Sequence, residues 1–293
     1  MRTPIHDRRL IPFNGKVAAA SLWGQVDAEQ FVEGEWHRVI LPVADLLAAP
    51  DGPRDRQVLL GERVLVLERR QDMAYGQIAR DGYCGWIRAE ALGPDRVATH
   101  WIAAPGSHGY PGPDIKLIER CALSFGAGVT AVAEHPDFVE TDLGLFIPRQ
   151  HLRRIGDWFD DAVAVAELFL GTPYLWGGNS RTGIDCSGLV QAAYLACGIS
   201  CPGDSDLQQA CFGTPLPEDA LLQRGDLLFW KGHVALVADE NRILHANGHA
   251  MSTCHEATEA AITRIAKQGG GPVTARRRPP QDRAESPRVS APA

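Results

Sequence analysis

Cys186 stands in the run Gly183-Ile184-Asp185-Cys186-Ser187-Gly188, and an apolar helical pattern starts at that residue. A thiol in the first turn of a helix meets unpaired backbone N–H groups and the positive end of the helix dipole, which favour the thiolate. The thiolate is the form of cysteine that attacks carbonyl carbon, so Cys186 is a candidate nucleophile. Leu189, Val190, Ala193, Tyr194, Ala196 and Cys197 share the apolar face, Asp185 is placed to cap the helix, and Gly198 is placed to stop it. Gly183 and Gly188 let the backbone come close to a ligand.

Such a nucleophile needs a proton acceptor, and histidine is the usual one. His233 opens the strand-like run Val234-Ala235-Leu236-Val237, and His245 closes Arg242-Ile243-Leu244. Pairing of these runs through the polar turn 238–241 sets the two histidines nearly opposite each other. Their even separation keeps both on one face. His245 then orients the ring of His233, which in turn contacts Cys186. His249 and His255 have no such geometry and read as surface residues. Asp226, before Leu227-Leu228-Phe229-Trp230, reads as a turn carboxylate leading into a core strand rather than as a triad acid.

The elements around this group fall into a clear order. The spacing of Ala162, Val165, Ala166, Phe169 and Leu170 predicts a helix within 157–171, ended by Gly171 and Pro173. Residues 1–36 form an N-terminal extension with one short amphipathic helix expected over 16–30. Residues 37–95 carry short β-type runs between Pro, Gly and Asp, ending in the hairpin-like Gly82-Tyr83-Cys84-Gly85-Trp86, as a small barrel does. Residues 96–152 repeat that texture in diverged form. The catalytic part is expected over 153–270, and 271–293, rich in Arg, Pro, Ser and Ala, is expected to be an unstructured tail.

Composition narrows the function. Lys and Arg total 29 against 36 Asp and Glu, a formal charge of −7, which offers no surface for a phosphate backbone. No apolar run long enough to span a bilayer occurs, and the first residues contain no signal-like apolar core, so the expected location is the cytoplasm. Nucleic acid and membrane are not expected partners. The seven cysteines form no Cys-x-x-Cys pair and read as buried free thiols. Cys197, Cys201, Cys211 and His255 could alternatively be a zinc set.

The ordered motifs Tyr174-Leu175-Trp176-Gly177-Gly178, Asp185-Cys186-Ser187-Gly188, Gly225 to Trp230, Gly232-His233-Val234-Ala235 and His245-Ala246-Asn247 resemble the NlpC/P60 family of peptidoglycan cysteine peptidases. The likeness covers about a third of the chain with no motif missing. Residues 37–93 resemble a bacterial SH3-like domain. The implied fold class is α+β: a papain-like cysteine peptidase domain preceded by two small SH3-like barrels. The resemblance implies Cys186 as nucleophile, His233 as base, His245 as its orienting partner, and no metal or organic cofactor.

The family cleaves the bond after γ-D-glutamate in cell-wall peptides. The two-barrel layout resembles its murein-peptide recycling branch, which requires a free L-alanine amine and releases L-alanyl-γ-D-glutamate. Murein-derived peptides are therefore the expected partners. By the same resemblance Tyr174 steadies the oxyanion beside the N–H of Cys186, or else packs the loop. Asp185, Tyr83 and Asp55 are candidates for the ammonium, with barrel packing the alternative for Tyr83 and a solvated charge the alternative for Asp55. Ser187 and Ser205 are candidates for the α-carboxylate of D-glutamate, and Ser205 could equally cap a helix. The rival functions are a cysteine amidase or acyltransferase on another amide, and a non-catalytic binder of wall fragments. The binder predicts a missing nucleophile or base, and neither is missing.

Overall fold

The computed structural model describes residues 7–280. Two compact units divide them: one takes the residues up to Asp157 together with Trp176–Gly183, the other takes Trp158–Leu175 and the residues from Ile184 on.

Seven strands of the first unit form one antiparallel sheet in the order Arg54–Leu59, Val43–Leu47, Cys84–Arg88, Met73–Ile78, Arg63–Arg70, Glu35–Val39 and Leu92–Pro94. Their inward-facing Val39, Leu46, Val58, Val64, Ile78 and Ile87 make one core, as period-2 alternation requires. Residues 100–154 add three smaller antiparallel groups. Their core takes Ile102, Leu123, Val129 and Ile147 together with Leu59 of the seven-stranded sheet and Leu60 just beyond it. Gly61, at φ +82°, passes so close to Gly128 that an added Cβ would lie 2.2 Å from its carbonyl oxygen, so only glycine serves there.

The helix expected over 16–30 is not formed. Val17–Ala19 and Gln30–Val32 pair as short parallel strands around a single 3-10 turn. Three consecutive buried residues are not the one-sided stripe a helix needs. Val17 and Ala19 instead cover Leu67, Met73, Tyr75 and Trp86.

In the second unit, helix α1 (Ala162–Glu167) is shorter than the 157–171 span predicted, because Asp161 caps it by accepting from the amides of Val163 and Ala164. Helices α2 (Cys186–Ala196), α3 (Ser205–Cys211) and α4 (Thr258–Lys267) follow. The strands are β1 (Thr214–Pro215), β2 (Leu227–Trp230), β3 (His233–Val237), β4 (Arg242–Asn247), β5 (Ser252–Ala257) and β6 (Ala275–Arg278). They form one antiparallel sheet in the order β1-β6-β2-β3-β4-β5, and α2 packs on β3 and β4.

Strand β6 corrects the expectation of an unstructured tail from 271. Its arginines mislead as solvated charges because each of two has a built partner. The Arg277 guanidinium donates to the carbonyls of Gln209, Ala210 and Gly213 at the end of α3, where the helix dipole favours a cation. Arg278 forks onto Asp226, both bonds 2.8 Å. The rest of that expected tail, 281–293, lies outside the described residues.

Candidate active site

Asp185 caps α2: its carboxylate accepts from the Gly188 amide at 2.6 Å and from the Ser187 hydroxyl at 2.9 Å. Cys186 is therefore the first helical residue, as the sequence indicates, and it is 5% exposed. Gly198, at φ +76°, leaves no room for a Cβ against the Trp158 indole and ends the helix.

Burial pushes the Cys186 thiol up to about 12, and the Asp185 charge adds to the rise; hydrogen bonds from the backbone of Val234, Ser187 and Cys186 itself act in the opposite direction. Burial also takes His233 down to about 3 and His245 down to about 4. For His245, burial outweighs the attraction of Glu256 beside it. Burial thus disfavours the charged forms of all three groups and opposes the pull toward thiolate that a helix N-terminus exerts.

The two histidines meet diagonally rather than head-on. Leu236 pairs with Leu244 and Val237 with Ile243, and continuing that register sets Ala235 across from His245. The turn is centred one residue later than direct opposition requires. Even so, both rings fall on one face, and His233 Nε2 lies 2.9 Å from His245 Nδ1.

Beyond His245 the line continues to residues that sequence reasoning missed. Glu256 on β5 receives His245 Nε2 at 3.1 Å, and Arg264 on α4 forks onto Glu256 at 2.8 and 2.6 Å. The Arg264 guanidinium holds the Glu256 carboxyl below its usual range, so it is ionised and accepts only. These partners assign every proton in the line. His245 donates from Nε2 and accepts at Nδ1, and His233 donates from Nε2 and keeps the lone pair of Nδ1 as its base. The only trace of Glu256 in the sequence is its diagonal place beside Cys254, the residue paired with His245. Nothing but the fold reveals that.

Tyr174 is stitched to the strand just before Cys186. Leu175 N donates to Ile184 O and Ile184 N to Pro173 O, each 3.1 Å, while Tyr174 N donates to Met251 O at 3.0 Å. Burial, then the nearby Cys186 and Asp185, push its hydroxyl above the usual tyrosine range, so it stays a donor. Asp185, Cys186, Tyr174, His233 and His245 all belong to the second unit.

The remaining candidates have other partners. Ser187 donates its hydroxyl proton to Asp185. Ser205 is the first residue of α3 and Asp204 holds the cap position, so the alternative of Ser205 as the cap is corrected. Gln208 ties α3 to α2 by donating to the Ser187 carbonyl at 3.0 Å. In the first unit, Tyr83 lies in the barrel core under the Arg56 guanidinium, 5.0 Å from its ring centre. Asp55 is forked by Arg8 at 2.6 and 2.9 Å, so it is an ion-pair partner rather than a solvated charge. Asp226 is buried and structural, held by Arg278 and capping the turn at Gln223 N. His255 sits 3.4 Å from Glu167. All seven cysteines are free, but Cys211 is exposed and Cys121 and Cys254 are half-buried, which corrects the expectation that they are all buried. Among the described residues no three His, Cys, Asp or Glu side chains converge as a metal site.

The segment Trp176–Gly183 runs in the chain between Tyr174 and Cys186 yet belongs to the first unit. Arg54 holds the Trp176 carbonyl at 2.7 and 3.1 Å, Gln57 accepts from Asn179 N at 3.3 Å, and Ser124 accepts from Arg181 N at 2.9 Å. Gly177, at φ +69°, would drive a Cβ to 2.6 Å from the Asp55 carbonyl.

Comparison with known proteins places this arrangement. The model of the NlpC/P60 family matches residues 171–268, and that of the bacterial dipeptidyl-peptidase Sh3 domain matches 46–92. A γ-D-glutamyl-L-lysine dipeptidyl-peptidase of Bacillus cereus is 37% identical over 277 residues, covering 78% of this chain and 81% of that protein. Dipeptidyl-peptidase 6 of Lysinibacillus sphaericus is 41% identical over 90 residues, where the match spans 30% of this chain and 32% of that protein. The crystal structure of an NlpC/P60 family protein from Bacillus cereus superposes with a TM-score of 0.70 at 21% identity, covering 83% of this chain and 99% of that one.

Proposed function

Because the chain belongs to the NlpC/P60 family and is a cysteine peptidase, we propose that it hydrolyses the γ-D-glutamyl–diamino acid bond of murein peptides bearing a free N-terminal L-alanine. Release of L-Ala-γ-D-Glu in the cytoplasm, as a step of wall-peptide recycling, is part of this reading. The observation that carries it is the 37% identity to a γ-D-glutamyl-L-lysine dipeptidyl-peptidase, which runs through 277 residues and not through the peptidase motifs alone.

The chemistry follows from the proton assignments. His233 Nδ1 takes the proton of the Cys186 thiol as Sγ attacks the γ-carbonyl carbon of D-glutamate. The N–H groups at the start of α2 and the Tyr174 hydroxyl meet the developing oxyanion. His233 returns the proton to the departing amine as the C–N bond breaks, leaving a thioester. Water, losing a proton to His233, then hydrolyses the thioester and restores the thiol. Burial disfavours a standing imidazolium, and the His245–Glu256 line stabilises it while it exists.

The test is mass spectrometry of L-Ala-γ-D-Glu-L-Lys digestion, beside the N-acetylated peptide and the Cys186→Ala protein. Release of L-Ala-γ-D-Glu from the free peptide alone, lost in the variant, is the expected result. Cleavage of both peptides removes the amine requirement and with it the recycling role. Cleavage of neither favours an amidase or acyltransferase on another amide.

A further inference from the structure

A cavity of about 480 Å3 in the second unit is lined by His233, Trp230, Lys231, Asn247, Gly248 and Gln268. A Cβ at Gly248 would lie 4.0 Å from Cε1 of Tyr174, so the Gly248 wall of the cavity adjoins that tyrosine. Its lining among the described residues contains no carboxylate. Arg264 also borders it, but its guanidinium is committed to Glu256 and Gln268. Lys231, at the turn between β2 and β3, has no ion pair or hydrogen bond among the described residues. The indole N–H of Trp230 is buried and also lacks a partner. An unpaired ammonium on a wall that carries no carboxylate gives the cavity a preference for negative charge. The cavity thus lacks an anionic acceptor.

The position of His233 says where such an acceptor comes from. His233 hands its proton to the departing amine, so the carbon bearing that amine is within one bond of the nitrogen facing His233. In an α-amino acid leaving group the same carbon carries the carboxylate. We propose that this cavity is the leaving-group subsite and that Lys231 takes the free α-carboxylate of the diamino acid. The inference rests on the γ-D-glutamyl peptidase reading and deepens it: the preferred substrate ends at the diamino acid, and peptides in which that carboxylate is amidated or extended by a further residue are poorer.

The experiment compares kcat/KM for L-Ala-γ-D-Glu-L-Lys with that for its C-terminal carboxamide, in wild type, Lys231→Met, Lys231→Arg and Lys267→Met. Lys267 is an exposed cation at the end of α4, outside the cavity lining, and controls for overall charge. Wild type should favour the free acid about tenfold, the scale of a partly exposed charged hydrogen bond. Lys231→Met should bring the ratio close to one, Lys231→Arg should restore most of it, and Lys267→Met should keep it. Equal rates on both peptides in wild type, or an unchanged ratio in Lys231→Met, overturn the subsite while leaving the peptidase reading intact. Cleavage of neither peptide overturns the γ-D-glutamyl reading itself, and the subsite falls with it.

Discussion

In the proposed mechanism, Glu256 makes two histidines behave as one base. Glutamate at this position can only accept, and Arg264 keeps it so, which leaves His233 a single usable tautomer. Glu256→Gln introduces an amide whose NH2 can face His245 Nε2 and reverse the whole line. Its kcat should fall about 10²-fold, at the low end of what general-base catalysis supplies, with KM little changed; steady-state kinetics on the free tripeptide reads this. His233→Ala should lose about 10²–10⁴-fold in kcat/KM, and preserved turnover would remove His233 from the mechanism. The sequence exposed Cys186, Asp185 and both histidines because their signals are local: a cap, a helix start and strand ends. Glu256 and Arg264 escaped because their roles come from cross-strand register and from a helix packing over it, which no short motif encodes. Ser187 shows the same limit, because its hydrogen bond to the neighbouring Asp185 is a matter of rotamer and not of motif.

At the scale of elements, β6 joins two strands that are distant in sequence, pairing with Thr214–Pro215 on one side and Leu227–Phe229 on the other. The Arg278–Asp226 pair fastens it, with the Asp226 side chain 2% and the Arg278 side chain 31% exposed. Asp226→Ala should cost about 1–3 kcal/mol, because the Gln223 N–H loses its acceptor. Urea denaturation checks this, and a loss within about 0.5 kcal/mol would make the pair ornamental. The strand was illegible in sequence because three arginines in a row look solvated until α3 supplies carbonyls and the turn before β2 supplies a carboxylate. The parallel pair at the N-terminus was hidden likewise, since its buried face exists only once Tyr75 and Trp86 are in place. The catalytic helix and the His233–His245 hairpin were legible because each carries its own start, turn and period.

For the whole molecule, the buried histidines set how stability follows pH. Their folded values, about 3 for His233 and about 4 for His245, lie below the ordinary 6.5. Between those limits the unfolded chain binds more protons, so stability is full above about pH 6.5 and declines as pH falls toward 3. Cys186 works from the other side: raised from 9.0 to about 12, it withdraws stability as pH rises through that window. Tm should therefore plateau between about pH 6.5 and 9, and His245→Gln should flatten the acid limb. A steep Tm change inside the plateau would contradict this balance. The order in which the chain is made adds a consequence of its own. Cys186, His233 and His245 all precede β6, which must slot in beside β2 rather than extend an outer edge. At ordinary rates of synthesis, the 30 residues that follow His245 as far as Ala275 take about 2–6 s. For that time a nascent chain holds its complete catalytic set on a sheet whose β2 backbone is open. That exposed edge is a place for a chaperone to bind or for two growing chains to pair wrongly.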